Sequence, residues 1–410
     1  MYKHICFVLS CVLLVGCGSG SSSSSSEIVG GKLLLEVSSK DMKDKLLSQG
    51  WDISSLKVYG YKAYKVSYIS KDEKDMNVNA SGLFVVPTNL GEKIEEDGLA
   101  MVSYGHGTIV LNDDAPSVFS QKKHTLPSSA IIFSSLGGFA TLEVDYIGYG
   151  DSMGHYHPYV MKKSLANSSI DFIDAVKKFA KRNHIKLNKK LFVTGYSEGG
   201  YTAMATLQKL EEKGIDVIAA APLAGAYDLN YEAKVALGLL DEKLVGFSSI
   251  YFALSTLAYS KAYDKNISSI INTPYVQEIE ILLDGKHTFK QIKEALPSEA
   301  FGENGLLKSS FVEDYQSNEN NWFKNALKEN SVDDWKPKTP LHIVHCQGDD
   351  QVAYAIAENT YHKMISNGST DIELITPDGQ EADNKKWNHG ACYFPSLKLT
   401  TLWFVEMRDR

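Results

Sequence analysis

Five residues near the middle of the chain have the spacing of a serine nucleophile on a tight turn. An apolar run, Leu191 to Val193, leads into Gly195-Tyr196-Ser197-Glu198-Gly199, and the pattern then becomes helical. A strand-to-helix turn this tight requires residues without side chains two positions before and after the serine, whose hydroxyl is left exposed in a strained conformation. The following helix N-terminus favours negative charge, and the Glu198 N–H points to where an oxyanion would form. Ser197 is the candidate nucleophile for acyl transfer; the alternative is an inert glycine turn.

A serine nucleophile needs a base to take its proton, and at elbows of this kind the base follows the serine in the chain. Among the histidines that this order excludes are His106, His155, His157 and His184. Of those that remain, His342 and His345 fall inside a predicted strand, His362 on a predicted helix, and His389 in the loop Trp387-Asn388-His389-Gly390. His389 is therefore the predicted base, against the alternative of an ordinary surface histidine.

The acid that orients the base is expected between the serine and the histidine. The predicted strand Leu341 to Cys346 ends in Gln347-Gly348-Asp349-Asp350-Gln351-Val352. Asp349 thus stands at a strand's carboxyl end, where α/β active sites gather. The Asp-x-x-Val spacing favours Asp349, and Asp350 is the rival.

A second oxyanion donor is expected in the loop after an early strand. Ser103-Tyr104-Gly105-His106-Gly107-Thr108 supplies it, since its glycines let the backbone approach a ligand closely. The N–H of Thr108, or alternatively of Gly107, would face that of Glu198. His106 is assigned a structural role in holding the loop, with a catalytic role as the alternative.

The elements that position these residues alternate between strands and helices. Two strands, Lys62 to Ile69 and Val78 to Val86, form a predicted hairpin. Further apolar runs are Leu99 to Tyr104, Ala140 to Asp145, Leu191 to Gly195, Val217 to Ala221, Leu341 to Cys346 and Ile372 to Ile375, with predicted helices such as Ser164 to His184 between them. This alternation predicts an α/β fold with a mostly parallel sheet covered on both faces.

One segment, residues 227–335, breaks the alternation. It shows no convincing strand, an apolar helical stretch from about Lys234 to Tyr263, and two capping-box patterns that begin at Thr288 and Ser310. The sequence therefore predicts a helical insertion that divides the core into residues 33–226 and 336–410.

Together these motifs resemble the α/β-hydrolases, and more narrowly the secretory lipases of the lipase A type and related bacterial esterases. Besides the serine elbow and the Asp349 and His389 loops, the matching stretches are Tyr104-Gly105-His106-Gly107-Thr108, Asp113-Asp114-Ala115-Pro116-Ser117, Asp145-Tyr146-Ile147-Gly148-Tyr149-Gly150-Asp151-Ser152 and His157-Pro158-Tyr159. The resemblance implies that residues 227–335 form a cap or lid over an acyl pocket, shaped by Phe247, Tyr251, Phe252 and Leu254. It makes Asp145 structural rather than catalytic.

The N-terminus resembles a bacterial lipoprotein signal. Residues 1–16 contain Lys3 and an apolar stretch, Ile5 to Val15, that is too short to span a bilayer. Leu14-Val15-Gly16-Cys17 resembles a lipobox, with Cys17 as the lipidated residue and residues 17–32 as a serine-rich tether. The expected location is the bacterial cell envelope, through a lipid anchor; a plain cleaved leader is the alternative.

The remaining cysteines and acidic pairs bear on disulfides and metals. Cys346 and Cys392 lie three residues from Asp349 and His389, so a disulfide between them would clamp the acid loop to the base loop; two buried free thiols are the alternative. The acidic pairs Asp113-Asp114 and Asp349-Asp350 are not accompanied by a His or Cys cluster with ligand spacing, and neither a metal nor a cofactor is expected.

Composition excludes several classes of protein and partner. The 410 residues are 43% hydrophobic and 22% charged, an ordinary globular balance, and the net charge of −8 gives no footprint for nucleic acid. We expect a serine hydrolase of carboxylic esters that acts on small-molecule esters or lipids. The alternatives are a prolyl-oligopeptidase-like peptidase and a hydrolase-fold lipoprotein that binds without catalysis.

Overall fold

A computed structural model describes residues 28–54, 56–240, 248–302, 304–379 and 385–410. The strands in this part of the chain form one sheet in the order β1-β2-β3-β5-β4-β6-β7-β8-β9. They are β1 (Ile28–Val37), β2 (Gly60–Lys71), β3 (Asn77–Thr88), β4 (Leu99–Gly105), β5 (Ala140–Val144), β6 (Leu187–Tyr196), β7 (Ala219–Leu223), β8 (Leu341–Val344) and β9 (Ile372–Ile375). Pairing is antiparallel from β1 to β5 and parallel from β5 to β9.

Helices cover both faces of the sheet. They are α1 (Ser39–Ser48), α2 (Glu92–Asp97), α3 (Pro116–Lys123), α4 (Ser128–Ala130), α5 (Lys162–Arg182), α6 (Glu198–Glu212), α7 (Leu229–Ala236), α8 (Ser248–Ala262), α9 (Thr273–Leu282), α10 (Phe289–Ala295), α11 (Ser309–Ser317), α12 (Trp322–Asn330), α13 (Tyr354–Ser366) and α14 (His389–Asp409). A π-helical turn, Ile131–Leu136, follows α4. The predicted α/β class with a mostly parallel sheet is confirmed.

The central strands are apolar because both of their faces are buried under helices. Every residue of β4, β5 and β7 is buried, as expected of parallel strands packed on both faces. On one face, the buried stripe of α5 includes Ile173, Val176 and Phe179, at the helical spacing seen in the sequence. On the other face, α14 and the π-helical turn pack against β4 and β6 through Phe133, Phe192 and Phe404.

Strand β1 was not predicted. It begins at Ile28, inside the segment 17–32 that was assigned to the tether, so the end placed at residue 32 was too late. The strand is an edge strand that contains two adjacent glycines, Gly30 and Gly31, and its pairing with β2 has two register irregularities. Its alternation is therefore weak, and only the contact with β2 defines it.

The described residues between β7 and β8 contain helices α7 to α12 and no strand, apart from an isolated bridge between Ile271 and Leu307. The expected helix from Lys234 to Tyr263 is not continuous, because α7 ends at Ala236 and α8 begins at Ser248, with residues 241–247 outside the described chain.

One of the two predicted caps in this segment is correct. The capping box at Thr288 and Gln291 is present at the start of α10. The one predicted at Ser310 is wrong, because α11 begins at Ser309 after an N-cap at Lys308 that makes no side-chain hydrogen bond. Ser310 therefore lies inside the first turn, where its hydroxyl cannot cap the helix.

Candidate active site

Ser197 stands alone between the last residue of β6 and the first residue of α6. Its backbone has φ 62° and ψ −122°, a region that costs a non-glycine residue about 1–3 kcal/mol. A Cβ on Gly199 would lie 1.9 Å from the Gly105 carbonyl oxygen, and one on Gly195 would lie 2.3 Å from the Gly199 carbonyl oxygen. Both glycines are therefore required by the packing of the turn against β4.

His389 is the first residue of α14, whose N-cap is Asn388. Its Nδ1 lies 2.7 Å from Asp349 Oδ2, and both side chains are almost completely buried. The other carboxylate oxygen, Oδ1, accepts the N–H groups of Gln351 and Val352 at 2.9 Å each. Since Nδ1 donates to the carboxylate, Nε2 of His389 is free to accept a proton, as a general base must.

Burial acts to raise the pKa of Asp349, but the hydrogen bonds from His345 and His389 outweigh it and hold that pKa well below its usual range. Asp350 makes a different contact: its Oδ1 accepts the backbone N–H of His389 at 3.2 Å. The structure thus places Asp349 against the imidazole ring and Asp350 against the backbone of the base.

The Asp349–His389 pair is in contact with the serine elbow through Tyr196. The Tyr196 hydroxyl donates to the His389 carbonyl oxygen at 2.5 Å, and the two rings are 5.0 Å apart. Ser197 Oγ makes no hydrogen bond with the described residues. Tyr196, the neighbour of Ser197, therefore makes the contact between the serine elbow and the loop of His389.

Two further links join the acid loop to the base loop. Cys346 and Cys392 form a disulfide with a Cα–Cα distance of 6.0 Å. Asp378, which is buried, accepts the N–H groups of Gln347 at 2.8 Å, Gly348 at 3.1 Å and Trp387 at 2.8 Å. Asp378 was missed in the sequence, because nothing in its spacing connects it with either loop.

His345 was also missed, because it was assigned to the interior of a strand. In the structure β8 ends at Val344, and the buried His345 points Nε2 at Asp349 Oδ2 from 3.0 Å. The one available signal was its position four residues before Asp349.

The predicted oxyanion loop lies against the elbow. A Cβ on Gly107 would lie 3.4 Å from the Tyr196 carbonyl oxygen and 3.5 Å from Ser197 Cβ, so the backbone that leads to Thr108 runs beside the nucleophile. Glu198 opens α6, where backbone N–H groups lack helical partners. The two predicted donors, the N–H groups of Thr108 and Glu198, thus belong to segments on either side of Ser197.

Two polar residues that could have been catalytic hold this region together instead. His106 is buried, which lowers its pKa, and its Nδ1 contacts the Gly107 carbonyl oxygen at 2.7 Å. Asp145 is fully buried and accepts hydrogen bonds from the Ser117 N–H at 2.8 Å and from the hydroxyls of Ser117 at 2.6 Å and Ser81 at 2.5 Å. These contacts agree with the structural roles expected of both residues.

The carboxylate of Glu198 is an unexpected member of the site. It is buried beside the nucleophile, and its Oε1 lies 2.6 Å from Nε2 of His157, which the chain order had excluded as a base. The sequence assigned a role only to the backbone N–H of Glu198.

Ser197 lines a cavity that is open to solvent and, with that solvent counted, has about 890 Å³ of empty space. Apolar side chains from the helices between β7 and β8 and from their neighbours line it, namely Val160, Leu229, Ala233, Ala236, Phe252, Phe323, Leu327 and Val352. Of the four residues expected to shape it, Tyr251 and Phe252 do so, Leu254 lines a smaller adjacent cavity beside His157, and Phe247 lies outside the described residues.

The described residues hold no cluster of three or more His, Cys, Asp or Glu side chains arranged to bind a metal ion. Over the same residues, no helix has the length and apolar character needed to cross a membrane.

Residues 127–233 match the profile of the prolyl oligopeptidase family. This segment contains the Ser197 elbow but neither Asp349 nor His389. Among curated proteins, none is significantly similar to the chain in sequence.

Several solved structures are similar over nearly the whole chain. A candidate hydrolase from Legionella pneumophila is 26% identical with a TM-score of 0.80, covering 93% of this chain and 98% of that one. The rice cell wall degrading esterase LipA from Xanthomonas oryzae is 22% identical with a TM-score of 0.78, covering 93% and 97%. Lipase A from Candida antarctica in its closed state is 14% identical with a TM-score of 0.63, covering 93% and 81%.

The sheet order, the serine elbow and these similarities give the chain the fold of the α/β-hydrolase class. Within that class, its structural similarity is to esterases and lipases.

Proposed function

We propose that the protein is a carboxylic-ester hydrolase with Ser197 as nucleophile, His389 as general base and Asp349 as the acid that orients it. One observation carries the proposal: the strained Ser197 faces an apolar cavity while the His389–Asp349 pair packs against its neighbour Tyr196. A strained backbone and a positioned base are features expected of an activated serine.

In the proposed reaction, His389 Nε2 takes the Ser197 hydroxyl proton as Oγ bonds to the ester carbonyl carbon. The carbonyl electron pair moves to the oxygen, which the N–H groups of Thr108 and Glu198 hold. The carbon–oxygen bond to the alcohol then breaks, and His389 returns the proton to the alcohol. Water repeats the sequence on the acyl-enzyme and releases the acid. Asp349 stabilises the imidazolium that forms in each step.

The cavity supports an ester with a neutral, largely apolar acyl group. Its walls are mostly aliphatic and aromatic, and the described residues that line it include Glu198 and Glu232 but no Lys, Arg or His. An anionic acyl chain would find no cationic side chain among the described residues of the lining, and burying its charge unpaired costs free energy. A substrate of this kind agrees with the acidic net charge of the chain.

The proposal is tested with a fluorophosphonate probe and a series of nitrophenyl esters. The wild-type protein should form one covalent adduct, lost in Ser197→Ala, and should hydrolyse esters with a rate that depends on acyl length. Equal labelling of wild type and Ser197→Ala would overturn the enzymatic proposal in favour of a binding role.

A serine peptidase is the second candidate, because residues 127–233 match the prolyl oligopeptidase profile. A proline-containing peptide nitroanilide, assayed beside the nitrophenyl esters, separates the two. A higher kcat/KM for the peptide would favour the peptidase.

We further propose that residues 227–335 act as a lid, since α7, α8 and α12 contribute cavity walls beside Ser197. A mobile lid predicts that activity rises sharply when the ester concentration passes its solubility limit. A rate that saturates smoothly across that limit would contradict this.

We also propose a lipid anchor at Cys17, which lies outside the described residues. Cells that express the full chain should incorporate labelled fatty acid into the protein and retain it in the membrane fraction. Cys17→Ala should abolish both, and an unchanged membrane fraction would exclude this anchor.

A further inference from the structure

His345 makes a contact with the acid that the proposed mechanism does not use. Nε2 of His345 is 3.0 Å from Asp349 Oδ2, the same oxygen that accepts the hydrogen bond of His389. The imidazole is completely buried and stands edge-on to the Tyr354 ring of α13. The proposed mechanism assigns no function to this second buried imidazole on the same carboxylate oxygen.

The contacts fix where the proton of His345 resides. Asp349 accepts, so Nε2 must donate. Nδ1 is buried with no hydrogen-bond partner among the described residues, and a protonated Nδ1 there would leave a donor unsatisfied. His345 is therefore the neutral tautomer with its proton on Nε2.

The hydrogen bond from His345 is one of four that the Asp349 carboxylate accepts. Gln351 and Val352 occupy Oδ1, while His345 and His389 share Oδ2. With four donors the carboxylate cannot rotate without breaking hydrogen bonds in a buried site.

We propose that His345 is a positioning residue, which through Nε2 fixes the Asp349 carboxylate and shares its charge with His389. This proposal rests on the proposed function of the same site. His345 touches no reacting atom and acts only through Asp349.

The sign of the effect on pH dependence follows from charge sharing. The hydrogen bond from His345 partly offsets the negative charge of Asp349, so the carboxylate stabilises the His389 imidazolium less than it would alone. Removing the donor should stabilise the imidazolium, so that the base is protonated at higher pH. Among the described residues, the other titratable groups around the pair are Asp350 and Asp378 in the neighbouring loops, Tyr196 on β6, Tyr251 on α8 and Tyr354 on α13.

The test compares His345→Leu, which removes the donor, with His345→Gln, whose amide can replace it. His345→Leu should lower kcat/KM at neutral pH about tenfold to a hundredfold, mainly through kcat. It should also move the acid limb of the kcat/KM profile up by about one pH unit. His345→Gln should return the limb toward its wild-type position.

His342→Leu is the matched control, because His342 lies on β8, three residues before His345, but stacks on Trp403 with a ring distance of 3.5 Å, away from Asp349. Its acid limb should coincide with that of wild type. A limb that stays in place in His345→Leu would show that the residue only fills space, and would overturn the proposal.

A measurement on the wild-type protein covers the case in which the variants do not fold. Nitrogen-15 spectra should show that the His345 imidazole carries its proton on Nε2. Protonation at Nδ1 would overturn the proposal, since Nε2 could then not donate. Ester hydrolysis and fluorophosphonate labelling of the wild type report on the proposed function separately.

Discussion

The side chains of His157 and Glu198 are in direct contact beside the nucleophile. Nδ1 of His157 lies 2.9 Å from the Ile147 carbonyl oxygen, which can only accept, so this nitrogen carries a proton. Nε2 lies 2.6 Å from Glu198 Oε1, and a contact this short between two lone pairs would be repulsive. A second proton must lie between them, so the pair is neutral overall and puts no net negative charge beside the oxyanion.

Glu198→Gln should therefore keep most of the activity. The glutamine amide can donate to a neutral His157 Nε2 in the place of the shared proton, so we expect kcat/KM within about threefold of wild type. Glu198→Leu leaves His157 without its partner and should lower both the melting temperature and kcat. Steady-state kinetics and thermal unfolding of the two variants measure this.

A large loss of kcat in Glu198→Gln, with the melting temperature unchanged, would contradict this. It would mean that the carboxylate itself takes part in the reaction. Lys209→Met, an exchange of a charged residue for a neutral one near the other end of the same helix, controls for changes in helix charge.

Asp378 should matter to catalysis although it lies outside the proposed triad. Its carboxylate accepts three N–H groups, from Gln347 and Gly348 on the acid loop and from Trp387 on the base loop. In Asp378→Asn the amide nitrogen must face one of these donors. We expect a loss of about 2–3 kcal/mol in the free energy of unfolding and a fall in kcat/KM of about tenfold or more.

Denaturant unfolding and ester kinetics measure the two effects. Asp371→Asn is the matched control, because Asp371 is exposed and lies shortly before Asp378 in the chain. If Asp378→Asn lost stability with kcat/KM intact, the link between the two loops would not position the base.

The parts of the site that the sequence predicted are those whose chemistry is local. The Ser197 elbow depends on glycines two residues away, and the loops of Asp349 and His389 are located by chain order and by strand ends. Asp378 depends on contacts with two loops that the chain brings together only on folding, and nothing in the residues next to it in sequence carries that information. His345 lies only four residues before Asp349, but its position in an apolar run predicts a strand interior rather than a contact with the acid.

The same distinction explains the fold. The runs of β4, β5 and β7 are buried and mostly apolar because helices cover both faces of the sheet, so their composition indicates central strands. Strand β1 is held only at the sheet edge, with Gly30 and Gly31 inside it, and its register depends on its partner β2. Its existence could not be deduced from alternation.

The Cys346–Cys392 disulfide should stabilise the protein and keep the acid and base loops together. The two cysteines are 46 residues apart in sequence, for which loop-closure entropy gives about 4 kcal/mol. The Cys346→Ala/Cys392→Ala double variant should lose stability by up to that amount and also lose kcat. Wild type in reductant should behave like the variant, and an effect of reductant on the variant itself would contradict the assignment to this bond.

Glu143 should make stability depend on pH. It lies on β5 opposite Tyr104 of β4 and is fully buried. Burial raises its pKa to about 8, with Ser129 opposing the shift. Between its ordinary pKa near 4.5 and about pH 8, the folded protein holds a proton that the unfolded chain releases, so the free energy of unfolding falls as the pH rises.

Glu143→Gln removes this titration while keeping the shape of the side chain. The variant should match wild type near pH 5 and be more stable by a few kcal/mol at pH 8, because wild type must then bury a charge or take up a proton. Denaturant unfolding at each pH measures the difference, with the exposed Glu278→Gln as control. A constant difference between Glu143→Gln and wild type across this range would mean that Glu143 keeps one protonation state in the folded and unfolded chains.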